Sequence, residues 1–273
     1  MTATLPAPTT SATAATVPAV APGVDSMDAL IDQACRTLRL PTIGSRFEEL
    51  AAAALREQAS YKAFLLTLLD AECEHRDERR KIRRVREANF PRSKRLDDFD
   101  FAANPNVVPE VINTLTTPGW VNAGQPLCLI GQSGTGKSHL LIGIGTAIAE
   151  SGLKVRYTTT ANLVNELAEA ADDRQLTRVL NRYSKVDLLC LDEFGYLDLD
   201  KAGAKLLFQV FTDREERSAI AIASNAPFSE WDQTFTDKRL CSAIVDRLTF
   251  NGNIIETGAE SYRLRATQQR PRG

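Results

Sequence analysis

Residues Gly131 to Ser138 constrain this chain more than any others. They read GQSGTGKS and fit the pattern G-x-x-x-x-G-K-[ST], with Gly131, Gly136, Lys137 and Ser138 at the fixed places. A short apolar strand, PLCLI, precedes the string, and a helix-forming run, KSHLLIGIGTAIAE, follows it. Strand, glycine loop and helix in that order make a phosphate cradle. The loop turns backbone N–H groups toward a ligand, and the helix N-terminus adds partial positive charge. The lysine reaches the β- and γ-phosphates, and the serine hydroxyl suits Mg²⁺.

The same alternation continues beyond the loop. KVRYT, VDLLCLDE, SAIAIASN and NIIETG read as strands. ANLVNELAEA, RQLTRVLNRY and AGAKLLFQVFTDREER read as helices between them. Strands alternating with helices predict an α/β domain with a mainly parallel sheet. Sites in such sheets lie beyond the carboxyl ends of the strands. Two of those ends carry candidate chemistry. The apolar run LLCL ends in Asp192 and Glu193. An aspartate there can hold the hydration shell of Mg²⁺, and a glutamate one residue further can deprotonate an attacking water. Asn225 closes the fourth strand, as a turn residue or as an amide that positions water. Arg247 follows Ile244 and Val245 on a late amphipathic helix. It is either an exposed helix arginine or a cation supplied in trans to a neighbouring subunit's phosphate.

The amino-terminal part has a different character. Residues 1–27 are a tail rich in Ala, Thr, Pro and Val, with the composition of disorder. Residues 28–90 carry helical periodicity and predict a small all-helical domain. Leu30, Ile31, Ala34 and Leu38 share one face, and Pro41 stops that run. A second helix follows with Ile43, Phe47, Leu50 and Ala54. A third starts after Ser60, a candidate N-cap. Prolines punctuate a connector over 91–110, and the α/β domain fills 111–273.

The third helix runs into HRDERRKIRRVREANFPRSKR. Residues 71–95 hold ten Lys or Arg against five Asp or Glu, a local charge of +5. The whole chain has a net charge of -2, so its overall balance does not announce nucleic acid. Arg79, Arg80, Arg83 and Arg84 are the candidate DNA contacts, against the alternative of a solvated helix laced with ion pairs. Five cysteines form no CxxC pair, which points to a reducing, cytoplasmic compartment. No apolar run is long enough to span a bilayer. His75 and His139 have no partner at metal spacing, so Mg²⁺ is the one metal expected.

Taken together, LRLPTIGSRFEEL, DDFDF, the glycine loop, DLLCLDEFGYLDLD, SNAPFSEW, AIVDRL and ESYRLR resemble the IstB-like family. These are AAA+ ATPase helpers of insertion-sequence transposases, similar to the DnaC helicase loaders and DnaA initiators. The resemblance runs from Asp28 to Ala266. It implies a AAA+ P-loop fold with sheet order 5-1-4-3-2, ATP with Mg²⁺, and a homo-oligomeric ring or spiral on double-stranded DNA. It also implies recruitment of a DDE transposase encoded by the same element. Lys137 and Ser138 match the Walker A pair, Asp192 and Glu193 the Walker B pair, and Asn225 the sensor 1 position. Arg247 matches the arginine finger and Arg263 a sensor 2 arginine. Gly131, Gln132, Ser133, Gly134, Thr135, Gly136 and His139 complete the nucleotide contacts.

Two rival readings stay open at this point. One is a replicative helicase loader of the DnaC type. The other is an ATP-switched scaffold that coats DNA without hydrolysis, against which Glu193 argues. A small-molecule kinase lacks a visible acceptor site. A GTPase lacks its base-reading motif, because SKVD at Ser184–Asp187 precedes the carboxylate strand.

Overall fold

A computed structural model describes residues 24–195, 199–235 and 237–262. Residues 1–23 of the expected tail, and Arg263, lie outside that set. The chain divides into two compact units, one reaching Arg76 and the other beginning at Asp77.

The first unit contains α1 (Val24–Leu38), α2 (Pro41–Arg56) and the first part of α3 (Tyr61–Glu87). Cys35, Ile43 and Leu68 are its buried core, with Ile31, Phe47, Leu50 and Phe64 packed against them. Pro41 does more than stop α1. It opens α2, where its missing N–H would have had no helical partner anyway. Leu40, the residue before it, provides no side-chain cap. Glu72 of α3 takes that part. Its Oε2 accepts the N–H groups of Thr42 at 2.9 Å and Ile43 at 3.2 Å. Arg76 donates to Oε1 at 2.9 Å.

Burial alone would raise the Glu72 carboxyl pKa. The Ile43 and Thr42 N–H groups and Arg76 outweigh that and hold it below the usual carboxylate value. The stability it contributes is therefore complete above the unfolded glutamate pKa of about 4.3. It is lost as pH falls through the lower native value. Glu72→Gln is expected to melt earlier than the parent protein at neutral pH, with the gap closing on acidification. A gap that stays constant with pH would show that the ionised carboxylate is not the cap.

The second unit is built on a sheet of β1 (Leu127–Ile130), β2 (Val155–Thr159), β3 (Leu188–Phe194), β4 (Ala219–Ser224) and β5 (Asn253–Glu256). All pairings are parallel and the order is β2-β3-β4-β1-β5. Read from the other edge this is the 5-1-4-3-2 order that the resemblance implied. Before the sheet come α4 (Pro109–Leu115) and α5 (Gly119–Asn122). They join α6 (Lys137–Glu150) on one face. The other face carries α7 (Thr160–Asp172), α8 (Leu176–Ser184), α9 (Lys201–Arg214), α10 (Trp231–Thr234) and α11 (Lys238–Thr249).

β4 shows why the layers fit. Its sequence AIAIAS alternates small and large side chains. Ala219, Ala221 and Ala223 face α6, and Ile220 and Ile222 face the α9 side. The small face lets the mostly buried α6 approach closely, while each buried isoleucine contributes about 1.5–3 kcal/mol. At the amino ends of the strands, Arg214 is only 2% exposed. It donates to the carbonyls of Tyr183, Val186, Asp187 and Ala219 at 2.6–3.2 Å. Burial lowers its pKa to about 10, so it stays charged and ties α8, β3 and β4 together.

Candidate functional site

The register of the sheet gathers the candidate residues at its carboxyl edge. Ile130 of β1 pairs with Ser224 of β4, and Ser224 also pairs with Phe194 of β3. The residues that follow these partners are Gly131, Asn225 and Gly195. Asn225 thus stands between the glycine loop and the acidic pair, in sheet order. The Gly131 N–H donates to the Ser224 carbonyl at 3.2 Å, which ties the start of the loop to that strand end.

Gly136 caps α6 with φ +95°, a left-handed conformation that side chains other than glycine rarely adopt. A Cβ there would also run into the Phe99 ring. Lys137 is 6% exposed, and its Nζ donates to the Gln132 carbonyl at 2.7 Å. The loop is braced from behind by residues remote in sequence. Asn104, 8% exposed, donates to the carbonyls of Thr135 at 2.9 Å and Thr257 at 3.0 Å. The Thr135 and Thr257 hydroxyls lie 2.6 Å apart. The Gln132 N–H donates to Gly258 O at 3.0 Å, and the Tyr262 N–H to Gly134 O at 3.1 Å. The segment after β5 therefore holds the loop along its length. Ser133 and Gln132 are exposed, and Ser138 is half-buried in the first turn of α6. The His139 ring bonds the Arg95 carbonyl at 2.7 Å and meets Phe99 edge-on.

Asp192 is 5% exposed, and both of its carboxylate oxygens have donors. Tyr157 Oη donates to Oδ2 at 2.8 Å, and the Glu193 N–H to Oδ1 at 2.9 Å. Burial and the neighbouring Asp192 carboxylate push the Tyr157 pKa up, so the phenol keeps its proton and acts as donor. The β3–β4 register shifts between Leu191 and Phe194. Inside that irregularity Glu193 has φ +57°, a left-handed conformation for a residue with a side chain. The shift turns Glu193 out to solvent while Asp192 stays buried. Hydroxyl and carboxylate oxygens such as those of Ser138 and Asp192 are the donors a hard cation like Mg²⁺ takes.

Arg247 is not brought to this edge. It lines a cavity of about 370 Å³ with Gln125, Pro126, Glu215, Ser218 and Asn251. Those residues precede or adjoin the amino ends of β1, β4 and β5, so Arg247 and the glycine loop of one chain lie at opposite ends of the sheet. Its guanidinium pairs with Glu215 at 2.8 Å and sits 4.8 Å from the Phe208 ring centre.

The four basic candidates on α3 are not equivalent. Arg79, Arg80 and Arg83 are exposed. Arg80 pairs with Asp77 at 2.9 Å and Arg83 with Glu87 at 3.8 Å. Arg84 turns inward and donates to the Gly152 carbonyl at 3.1 Å, beyond the end of α6. Sequence reasoning did not single out Tyr157, Asn104 or Thr257. Their partners lie 31 to 153 residues away, and no local spacing connects them. No helix among the described residues is long and apolar enough to cross a membrane.

The comparisons with known proteins agree with this architecture. The profile of the IstB-like ATP binding protein family matches residues 33–270. An insertion sequence ATP-binding protein of Sinorhizobium fredii is 37% identical over 236 residues, 86% of this chain and 79% of that protein. The ATP-binding protein of insertion sequence IS5376 from Geobacillus stearothermophilus is 35% identical over 235 residues, 86% of this chain and 94% of that one. Among solved structures, AMPPCP-bound DnaA from Aquifex aeolicus superposes with a TM-score of 0.52 at 22% identity, covering 62% of this chain and 51% of DnaA. That likeness is one of fold: a AAA+ P-loop domain. By profile and by relatives alike, the chain belongs to the IstB-like family of insertion sequence ATP-binding proteins.

Proposed function

We propose that this protein assembles on double-stranded DNA in its ATP-bound state, hydrolyses ATP to time that assembly and its release, and there recruits a DDE-type transposase. The observation that carries the reading is the convergence of glycine loop, acidic pair and Asn225 at one edge of the sheet, in a chain of this family. Lys137 holds the β- and γ-phosphates, and the loop N–H groups bind the rest of the polyphosphate. Ser138 and Asp192 would hold Mg²⁺, which when bound neutralises charge on the phosphates. Asn225 orients the attacking water, and Glu193 takes its proton. Arg247 serves the site of a neighbouring copy, because its own glycine loop is at the far end of the sheet. Such an arrangement makes turnover depend on assembly.

Arg79, Arg80 and Arg83 contact the phosphate backbone in this reading, and Arg84 supports the helix that carries them. Contacts of this kind read charge and not base sequence. The test replaces the three exposed arginines with Ala and measures duplex binding in ATP analogue across salt concentrations. Affinity for unrelated duplexes is expected to fall about equally. The salt slope should flatten by up to ~3 per engaged subunit if each side chain neutralises one phosphate. ATP binding by the monomer should not change. Unaltered DNA affinity and slope, together with lost transposase recruitment, would assign this face to the transposase instead.

A further inference from the structure

We propose that Tyr157 is a positioning residue for Asp192, holding its carboxylate in the orientation that receives the divalent cation. The inference rests on the reading of Asp192 given above.

β2 neighbours β3, and Tyr157 stands opposite Cys190, two residues before Asp192. Side chains two apart on a strand share a face. An aromatic side chain can reach its diagonal neighbour on the next strand, and the Tyr157 hydroxyl does so at 2.8 Å. The ordinary reading is a buried phenol that needs a partner. Tyr183, itself buried, shows that use, donating from α8 to Glu166 of α7 at 2.6 Å. Glu166 is held on both oxygens, by Tyr183 and Arg182, but on a partly exposed helix face. The pair at Asp192 differs in its place: a buried carboxylate at the carboxyl end of β3, likewise held twice. Tyr157 takes Oδ2, and the Glu193 N–H takes Oδ1. A lone hydrogen bond leaves a carboxylate free to swing about its terminal torsion, whereas two donors on different oxygens fix its plane. Each oxygen keeps a further lone pair for a cation or its water.

The tyrosine is itself held in place. Its N–H donates to the Ala88 carbonyl at 2.8 Å, and its ring lies 6.0 Å from that of Phe90. Neither contact uses the hydroxyl. Tyr157→Phe therefore removes the bond to Asp192 and leaves the packing intact. Partners of this second rank typically govern metal affinity by 10- to 100-fold.

The experiment titrates Mg²⁺ into the full chain with a fluorescent ATP analogue and repeats the nucleotide titration in EDTA. For Tyr157→Phe, the Mg²⁺ concentration at half-maximal binding should rise about tenfold or more, with affinity in EDTA at the parental value. In an Asp192→Asn background, adding Tyr157→Phe should change nothing further. An unmoved Mg²⁺ midpoint in Tyr157→Phe, where Asp192→Asn does move it, overturns the role of the tyrosine and spares that of the aspartate. Equal weakening with Mg²⁺ and in EDTA overturns it too, since that is the mark of a packing role. If Asp192→Asn leaves the midpoint where it was, the reading of the site fails along with the proposal.

Discussion

Arg247→Ala is expected to hydrolyse ATP about 10³-fold more slowly than the parent protein, or worse, while each monomer still binds ATP with parental affinity. An arginine supplied to a transferring phosphate typically contributes a factor of that size, about 4 kcal/mol of transition-state stabilisation. The position of the residue decides which step suffers. Arg247 lines a cavity at the amino ends of the strands, opposite the glycine loop of its own chain. Its removal leaves that loop untouched. It also frees Glu215, an exposed partner whose loss of one ion pair is of little consequence for folding. Mixing Arg247→Ala with Lys137→Ala gives the sharper measurement. Some interfaces of the mixed assembly pair an intact glycine loop with an intact arginine, and turnover should partly return there. Co-assembly without any return of turnover would show that Arg247 does not act across the interface.

Glu193→Gln is expected to separate binding from hydrolysis. The amide keeps the shape of the side chain and loses the base. Turnover should fall by roughly 10²-fold or more, and ATP-bound assemblies should accumulate on DNA. Binding is spared because Lys137 and the loop N–H groups do not depend on the ionisation of Glu193. Phosphate release at the parental rate would remove Glu193 from the role of base. Phosphate release and DNA retention measured in one preparation keep that outcome apart from simple misfolding.

The sheet was legible in the sequence because its signals are local. Strand-forming runs of four to seven residues stand between helical stretches. β1, β3 and β4 are largely apolar, β2 alternates Val155 and Tyr157 with polar residues, and β5 holds Ile254 and Ile255. The glycine loop and the acidic pair stood out for the same reason, since their spacing is fixed within a few residues. The elements that sequence reading passed over are short. α4 has seven residues, and α5 and α10 have four each, too few for a 3.6-residue period to register. Pro41 shows only one of its two parts in the sequence, the end of α1 and not the start of α2. A proline that ends one helix and a proline that starts the next look alike until the chain is seen to turn there. Arg84 looked like its neighbours, because one residue of helical rotation separates a solvated arginine from one bonded to Gly152. The braces at Asn104, Tyr157 and Thr257 join a connector, the glycine loop and strand ends far apart in the chain, and no window on the sequence contains both partners.

The conformation of Glu193 sets stability and turnover against each other at a single position. A left-handed backbone under a glutamate carries roughly 1 kcal/mol or more of strain that a glycine would relieve. Random substitution followed by selection for heat resistance would therefore favour glycine at 193, and would yield a sturdier protein without the proposed base. Selection for movement of the element works the other way. It retains the strained residue and leaves the rest of the chain a narrower margin for destabilising change.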